Sequence, residues 1–279
     1  MSSTRSIVTV AIIVDTFREA LARKIFWGLF GLSTAMIAFF LFLMKIDLVE
    51  GATATITLFG FQQGHSVDVA RIVKQVEAGI SAFLYTWGMF LAVFASAGLT
   101  PSMLEPGRIE LLLSKPVRRA HLLIGRYLGN ILVVGLNFSY LVLGVWLILG
   151  LKTNIWHPEF LIAIATTMFL FAVLLTVVVL IGVLFDSTAL AVMVPVGLMI
   201  ISPILAQNKL AERLLSSEWS RVVWNTLYHL FPKVYDIGNV TLNFVLDRKV
   251  ESWLPFWSSA AFGAVVIAFA IWWFERRDF

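Results

Sequence analysis

Residues 160–185 read FLIAIATTMFLFAVLLTVVVLIGVLF, a run of 26 residues without a single charge. About 20 consecutive apolar residues are needed for an α-helix to cross the hydrocarbon core of a bilayer. This run therefore predicts a transmembrane helix, and its extra length leaves room for the helix to tilt. Asp186 follows directly and marks a tight turn before the next apolar run begins.

Five further apolar runs flank this one, and the centres of all six lack ionisable residues. The whole chain is 59% hydrophobic and 14% charged, whereas a typical soluble domain carries about 25% charged residues. The sequence thus predicts an all-α polytopic membrane protein that forms a single domain over residues 1–279. Its six predicted transmembrane helices, spans 1 to 6, cover about 25–44, 80–99, 128–149, 160–185, 188–206 and 254–274.

Basic residues orient the predicted bundle. If both termini, the loop 100–127 and the turn at Asp186 share one side, that side holds 11 of the 21 Lys and Arg residues and nets 11 − 7 = +4. The opposite side nets 10 − 10 = 0 over much longer segments. By the positive-inside rule, both termini are expected in the cytoplasm, which places the chain in a bacterial-type inner membrane. No basic run exceeds two residues, so nucleic acid is not an expected partner.

Three segments outside the spans have a predicted structure. Residues 7–24 are expected to form an interfacial helix against membrane lipids, because apolar residues recur every three or four positions: Val10, Ile13, Val14, Phe17 and Leu21. Alternating residues over 53–58 predict a short strand, and residues 68–78 predict an exposed helix. Residues 207–253 are expected to form external helices that lie on the outer leaflet, with a break at Pro232.

The segment between predicted spans 2 and 3 carries the strongest functional signal. Residues 102–129 read SMLEPGRIELLLSKPVRRAHLLIGRYLG. Chain-breaking residues at Pro106, Gly107 and Pro116 bracket a short amphipathic helix over 108–114. A helix of this kind either docks into a groove of a partner protein or caps its own bundle, and the residues alone leave both readings open.

A family resemblance favours docking. The order of TFREALARKIFW (16–27), a span, an outer loop, a second span and EPGRIELLLSKPVRR (105–119) resembles the permease subunits of type-2 ATP-binding-cassette (ABC) exporters. GRYLG (125–129) is similar to that family's start of span 3, with Arg126 where lysine is common. The closing FERRDF (274–279) is similar to the family's charged tails. The resemblance implies the type V exporter fold.

The same resemblance implies which residues meet a partner. In that family, residues corresponding to 105–115 form a coupling helix that sits in a cleft of a separate cytoplasmic ABC ATPase. Arg18, Arg118, Arg119 and Asp186 would be accessory contacts to that ATPase or to lipid. The external helices of 207–253 would help to close the exit. Carried over by position, the docking residues are Glu105, Arg108, Ile109, Glu110, Leu111, Leu112 and Leu113.

No Gly-Lys dipeptide occurs in the chain, so it has no Walker A loop for ATP. Cysteine is absent and the four histidines lie far apart, so no metal site is predicted. The chain is therefore expected to be a non-enzymatic subunit without a cofactor, with ATP and Mg²⁺ bound by the partner ATPase. A second copy, or a sibling permease, should complete the translocation path. The uncharged spans favour a hydrophobic or amphipathic substrate.

Three polar residues lie near or within the spans, and each of them has two alternative expected roles. Asn130 and Asn137 are seven residues apart and so share one face of a helix. They are expected either to line the path or to hydrogen-bond to neighbouring helices. Asp186 is expected either to cap the helix that follows it or to contact the ATPase.

Other classes of membrane protein fit the sequence less well. An ion-coupled secondary transporter generally needs ionisable groups within the membrane, which the span centres lack. A membrane-embedded enzyme needs a nucleophile with a nearby base, or a metal, and the hydroxyls in the spans have neither His nor carboxylate beside them. A non-transporting scaffold stays open, and association with an ATPase separates it from a permease.

Overall fold

The computed structural model describes residues 14–19, 21–22, 24–49, 53–58, 61–62, 67–104, 107, 119–207, 218–250 and 252–277. Among these residues, five helices are long and apolar enough to cross a membrane, and a sixth apolar helix is shorter. The prediction of an all-α polytopic membrane protein is confirmed. The observed spans 1 to 6 are, in order, Phe26–Phe42, Val69–Met103, Arg119–Thr153, Pro158–Phe185, Thr188–Leu205 and Leu254–Arg276.

Several spans combine more than one type of helix. The α-helices within them are Lys24–Ala38, Val69–Phe83, Met89–Ala97, Leu99–Met103, Arg119–Thr153, Ile162–Phe185, Thr188–Leu205 and Leu254–Arg276. Wider π-helical turns, Phe39–Leu43 and Leu84–Gly88, interrupt spans 1 and 2, and a 3₁₀ turn, Pro158–Leu161, begins span 4. Among the described residues outside the spans lie the helices α1 (Glu218–Leu230) and α2 (Val234–Val245), and residues 14–19 and 21–22 are also helical.

Span 4 lies at the centre of the bundle. It contacts spans 2, 3, 5 and 6 and also helix α2. Its sequence suits this position, because a helix that is apolar on every face can pack against neighbours on all sides without burying a charged group. Phe160, Phe171 and Leu174 are almost fully buried. The Tyr127 hydroxyl on span 3 donates to the Ala172 carbonyl at 3.0 Å and fixes the two helices against each other.

Span 2 begins earlier than its apolar run predicts. The helix expected over 68–78 was predicted to be exposed, and this prediction is wrong. Val69–Phe83 continues directly into the span, and Val69, Ile72 and Val73 are buried. The sequence did not reveal this early start of span 2, because Lys74 and Glu77 interrupt the apolar run. Glu77 is tolerated inside because His157 bonds to its carboxylate at 2.8 Å.

A small antiparallel sheet follows span 1. Its strands are β1 (Met44–Val49), β2 (Thr53–Leu58), β3 (Phe61–Gln62) and β4 (Val67–Asp68). β1 pairs with β2 from Met44↔Leu58 to Val49↔Thr53, and β2 also pairs with β3 and β4. The β-branched residues of β2 favour this extended backbone.

The bundle has two ends, and each groups segments that are far apart in sequence. The terminal end carries the helical residues 14–19 and 21–22, the turn at 186–187 and Arg277. The sheet end carries the four strands, the connection 154–157 with the first turn of span 4, and residues 231–250. At the sheet end, the Lys152 ammonium donates to the carbonyls of Phe40 and Leu41 at 2.8 and 2.7 Å. It thereby satisfies carbonyls at the π-helical turn of span 1.

Candidate functional site

A buried ion pair joins the N-terminal segment to span 3 at the terminal end. Arg126 is 6% exposed, and its Nη1 lies 2.6 Å from Glu19 Oε2. Its Nη2 lies 3.5 Å from Asp15 Oδ2. Close backbone approach supports the pair, because a Cβ at Gly129 would lie 2.8 Å from the Cβ of the buried Thr16. The N-terminal segment is therefore seated directly on the first turns of span 3.

The Glu19 carboxylate also reaches span 2. The Ser102 hydroxyl donates to Glu19 Oε1 at 3.0 Å, while Arg126 holds the other oxygen. Ser102 lies just before the segment 105–118 and Arg126 lies just after it. One carboxylate thus links both flanks of the segment that the sequence singles out for partner docking.

The end of span 6 is tied to the same region. Arg277 forms an ion pair with Asp186 and donates to the Val183 carbonyl at 2.6 Å. Arg119, at the start of span 3, donates in turn to the backbone carbonyl of Arg277. Asp186 adopts a left-handed conformation (φ 51°) at the end of span 4, and Ser187 accepts from the Leu190 N–H at 3.4 Å. Ser187, rather than Asp186, caps span 5.

The predicted docking residues themselves fall outside the described residues. This applies to Glu105, to all six residues from Arg108 to Leu113, and to Arg118. Arg18 is described and exposed on the N-terminal segment. The docking role of all these residues stays a prediction. The structure shows the residues on both flanks of the segment 105–118 and how they are bonded to the bundle.

Asn130 and Asn137 lie inside the bundle. Both side chains are almost fully buried. Asn130 Oδ1 accepts from the Ser96 hydroxyl of span 2 at 3.1 Å, and Asn137 Oδ1 accepts from the Ser33 hydroxyl of span 1 at 3.0 Å. The two amides therefore bond span 3 to two different neighbours.

A cavity of about 540 Å³ opens between spans 2 and 5. The π-helical turn Leu84–Gly88 forms one wall, and the part of span 5 that contains Pro203 forms the other. π-helical turns inside α-helices are frequent at functional sites because they change the direction of neighbouring side chains. Its lining, among the residues that the structure describes, carries no charge and consists of Tyr85, Thr86, Trp87, Phe90, Val196, Met199, Ile200, Pro203, Val234 and Tyr235.

Helix α2 covers this cavity at the sheet end. The Tyr85 hydroxyl donates to the Val234 carbonyl, and the Tyr235 N–H donates to the Ser202 hydroxyl at 3.0 Å. Gly238 packs against the Tyr85 ring, so closely that a Cβ there would lie 2.6 Å from the ring. Sequence reasoning missed the cavity, because its walls come from segments that only the fold brings together.

A polar cluster lies at the break between helices α1 and α2. Lys233 is 2% exposed, and its ammonium lies 4.4 Å from the centre of the Tyr228 ring. Burial lowers the pKa of Lys233, although the nearby Asp236 opposes this shift. Burial raises the pKa of Asp236, whose carboxylate accepts from the Tyr228 hydroxyl at 2.8 Å. These contacts fix the turn at Pro232 from which α2 departs.

Comparison with known proteins agrees with this architecture. The family model described as "ABC-2 family transporter protein" matches residues 10–279, which is nearly the whole chain. No curated protein matches the chain. Proteins of this family are membrane components of transport. The chain belongs to the ABC-2 transporter family, and it is a multi-pass membrane permease of that family.

Proposed function

We propose that this chain is the membrane-spanning subunit of an exporter that moves hydrophobic or amphipathic molecules across an inner membrane, driven by a separate cytoplasmic ABC ATPase. The uncharged cavity between spans 2 and 5 carries this proposal. Ligand pockets are typically about 300–1,000 Å³ and lined mainly by apolar and aromatic side chains. The volume of 540 Å³ and the aromatic lining of this cavity fit such a cargo and offer nothing to a bare ion.

The partner would dock at the terminal end, which would face the cytoplasm with both chain termini. The segment 105–118 leaves the bundle between Leu104, which is 9% exposed, and Arg119, which is bonded to Arg277. Both flanks are thus anchored, so a force on this segment would reach spans 2 and 3 directly. ATP and Mg²⁺ would be bound by the partner, because the chain has no Walker A sequence.

A second copy of the chain, or a sibling permease, would complete the path. The cavity is open on one side, and Trp87 and Ile200 on its rim are 60% and 62% exposed. Closure of two ATPase subunits would draw the two coupling segments together. The cavity would then open toward the sheet end as α2 moves relative to span 2.

Substitutions at the predicted docking residues are expected to release the partner ATPase. In an Arg108→Glu, Glu110→Arg, Leu112→Asp variant, two charges are reversed and one apolar anchor is removed. We expect the ATPase that copurifies with the parent to fall by at least about tenfold, because truncating one partner of an interfacial charge pair costs about 2–5 kcal/mol. Quantitative copurification after expression with the neighbouring genes measures this loss.

The matched control places one charge reversal on another exposed surface, as Glu218→Arg on helix α1, and should retain the ATPase. Both variants are checked for membrane insertion and for an unchanged elution volume. A parent chain that never binds an ATPase would contradict the proposed function. Full retention by the triple variant would instead move the docking surface away from residues 108–113.

If the cavity is part of the transport path, a bulky side chain placed in it should block transport. Met199→Trp would fill part of the space between spans 2 and 5, and we expect ATP-dependent uptake of the amphipathic dye Hoechst 33342 by inverted vesicles to fall about tenfold, which corresponds to about 1.4 kcal/mol. Met193→Trp on the same helix is the control, because Met193 is 66% exposed and does not line the cavity. Equal uptake by the two variants would rule out this cavity as the path, and absent uptake by the parent would count against an amphiphilic cargo.

A further inference from the structure

Four ionisable side chains from three separate parts of the chain meet at the sheet end. Glu77 comes from span 2, His157 and Glu159 from the junction where the connection after span 3 meets the 3₁₀ turn of span 4, and Asp247 from the segment after helix α2. One ligand atom from each of His157, Glu159 and Asp247 lies within 4.8 Å of the other two. No step of the proposed transport mechanism uses this cluster.

The imidazole of His157 is the centre of the cluster. His157 is 8% exposed, and its Nδ1 lies 2.8 Å from Glu77 Oε2. The other nitrogen, Nε2, is buried and has no hydrogen-bond partner among the described residues. It points between two carboxylates, at 3.3 Å from Glu159 Oε2 and 3.5 Å from Asp247 Oδ1. Nε2 thus faces two carboxylate oxygens at ion-pair distance without a hydrogen bond of good geometry to either, and a cation between the three atoms would satisfy them together.

Two of the three separations are close to those around a bound transition-metal ion, and the third, between the two carboxylate oxygens, is within 4.8 Å. A tetrahedral ion with bonds of about 2.0–2.1 Å to nitrogen and oxygen has ligands about 3.3–3.4 Å apart. The distances from Nε2 to the two carboxylate oxygens, 3.3 and 3.5 Å, are close to that edge length. Three protein ligands and one open position for water are a common arrangement for Zn²⁺.

The arrangement behind the histidine also fits a metal. Metal-binding histidines usually donate their second ring N–H to a carboxylate, which fixes the tautomer and orients the ring. Glu77 is 1% exposed and lies against Nδ1 in that position. With the proton on Nδ1, the lone pair of Nε2 would be directed toward Glu159 and Asp247.

The local charge also favours a cation. Glu77, Glu159 and Asp247 together contribute three carboxylates, and Lys74 is bonded to the Oδ2 atom of Asp247. Lys74 therefore uses one oxygen of Asp247 and leaves Oδ1, the atom that faces His157.

We infer that His157, Glu159 and Asp247 form a binding site for a divalent transition-metal ion, of which Zn²⁺ is the best fit, with Glu77 orienting the histidine. Imidazole and carboxylate ligands together suit Zn²⁺ better than Mg²⁺ or Ca²⁺, which prefer sites built from oxygen alone. A bound ion would tie the end of helix α2 to span 2 and to the start of span 4. It would therefore strengthen the cover of the cavity at the sheet end.

The test uses the full chain in detergent, purified with a tag that contains no histidine and stripped with a chelator. We expect one Co²⁺ per chain to bind with the intense visible absorption of a tetrahedral site, and Zn²⁺ to displace it. Saturating Zn²⁺ should raise the thermal midpoint by about 5 °C, and Mg²⁺ should not.

Three variants keep the inference falsifiable. Glu159→Gln should fold normally, because the Glu159 side chain is 47% exposed, and should weaken Zn²⁺ binding at least tenfold. Glu77→Gln should weaken it by about 10–100-fold through the histidine. Glu218→Gln, a distant exposed carboxamide substitution, should leave binding unchanged. The inference is overturned if the parent shows no Zn²⁺-dependent change, if Mg²⁺ acts as Zn²⁺ does, or if Glu159→Gln binds Zn²⁺ as tightly as the parent.

Discussion

Replacing Arg126 with methionine is expected to destabilise the protein by about 3–5 kcal/mol, because it removes one half of a buried ion pair and leaves the charge of the Glu19 carboxylate poorly compensated. The Glu19 side chain is only 14% exposed, and Arg126 Nη1 lies 2.6 Å from its Oε2. In a protein of this size, such a loss lowers the thermal midpoint on the order of 10 °C. Thermal unfolding of the purified chain in a mild detergent measures it.

A double variant distinguishes the effect of an uncompensated charge from the effect of losing the arginine side chain. Arg126→Met combined with Glu19→Met removes both charges, so most of the lost stability should return. Arg18→Met lies on the same N-terminal segment at an exposed position, and should change the midpoint little. A double variant as unstable as the single one would show that the charge pair is not what holds the segment on span 3.

Replacing Gly238 with valine is expected to cost about 3 kcal/mol, at the upper end of the range for overpacked sites. The added Cβ would lie 2.6 Å from the ring of Tyr85. That ring cannot swing aside freely, because its hydroxyl donates to the Val234 carbonyl. Helix α2 would have to move away from span 2, which would open the cavity.

The opening can be measured directly because the chain contains no cysteine. A Val234→Cys substitution places one thiol at a lining position that is only 1% exposed, and Gly238→Val should make it react faster with a maleimide reagent. Gly197→Val is the control, since a Cβ at Gly197 has no neighbouring atom within 4 Å. Removing the ring as well, with Tyr85→Ala, should recover part of the stability. Unchanged labelling in the Gly238→Val background would mean that α2 does not cover the cavity.

The six spans were predictable because each depends on local composition alone. A charge-free run of about 20 residues has few stable locations other than a bilayer. The start of span 2 was not predictable in this way. Lys74 and Glu77 read as solvent-exposed, and only the fold brings Asp247 and His157 next to them. Polar residues are buried where partners exist, and those partners lie more than 70 residues away.

The candidate sites differ in the same way, because some depend on a local sequence pattern and others are assembled only by the fold. The segment 105–118 is prominent in sequence because its signal is a local pattern of breakers and apolar residues. The cavity is not, because Tyr85 and Tyr235 come together only when α2 folds over span 2. Likewise, the widely spaced histidines argued against a metal site, whereas His157 finds its carboxylates on three different segments. Glu159 is only two residues from His157 along the chain, but Glu77 and Asp247 come from distant segments that only the fold brings to it.

The two amides of span 3 have a consequence for how the helices assemble after insertion. Asn130 bonds to Ser96 of span 2, and Asn137 bonds to Ser33 of span 1. A shift of one helical turn would move each amide about 5.4 Å from its hydroxyl and leave it facing hydrocarbon. Span 3 therefore has one favourable register, and it becomes available only once spans 1 and 2 are both in place. The order of synthesis supplies its partners before span 3 needs them.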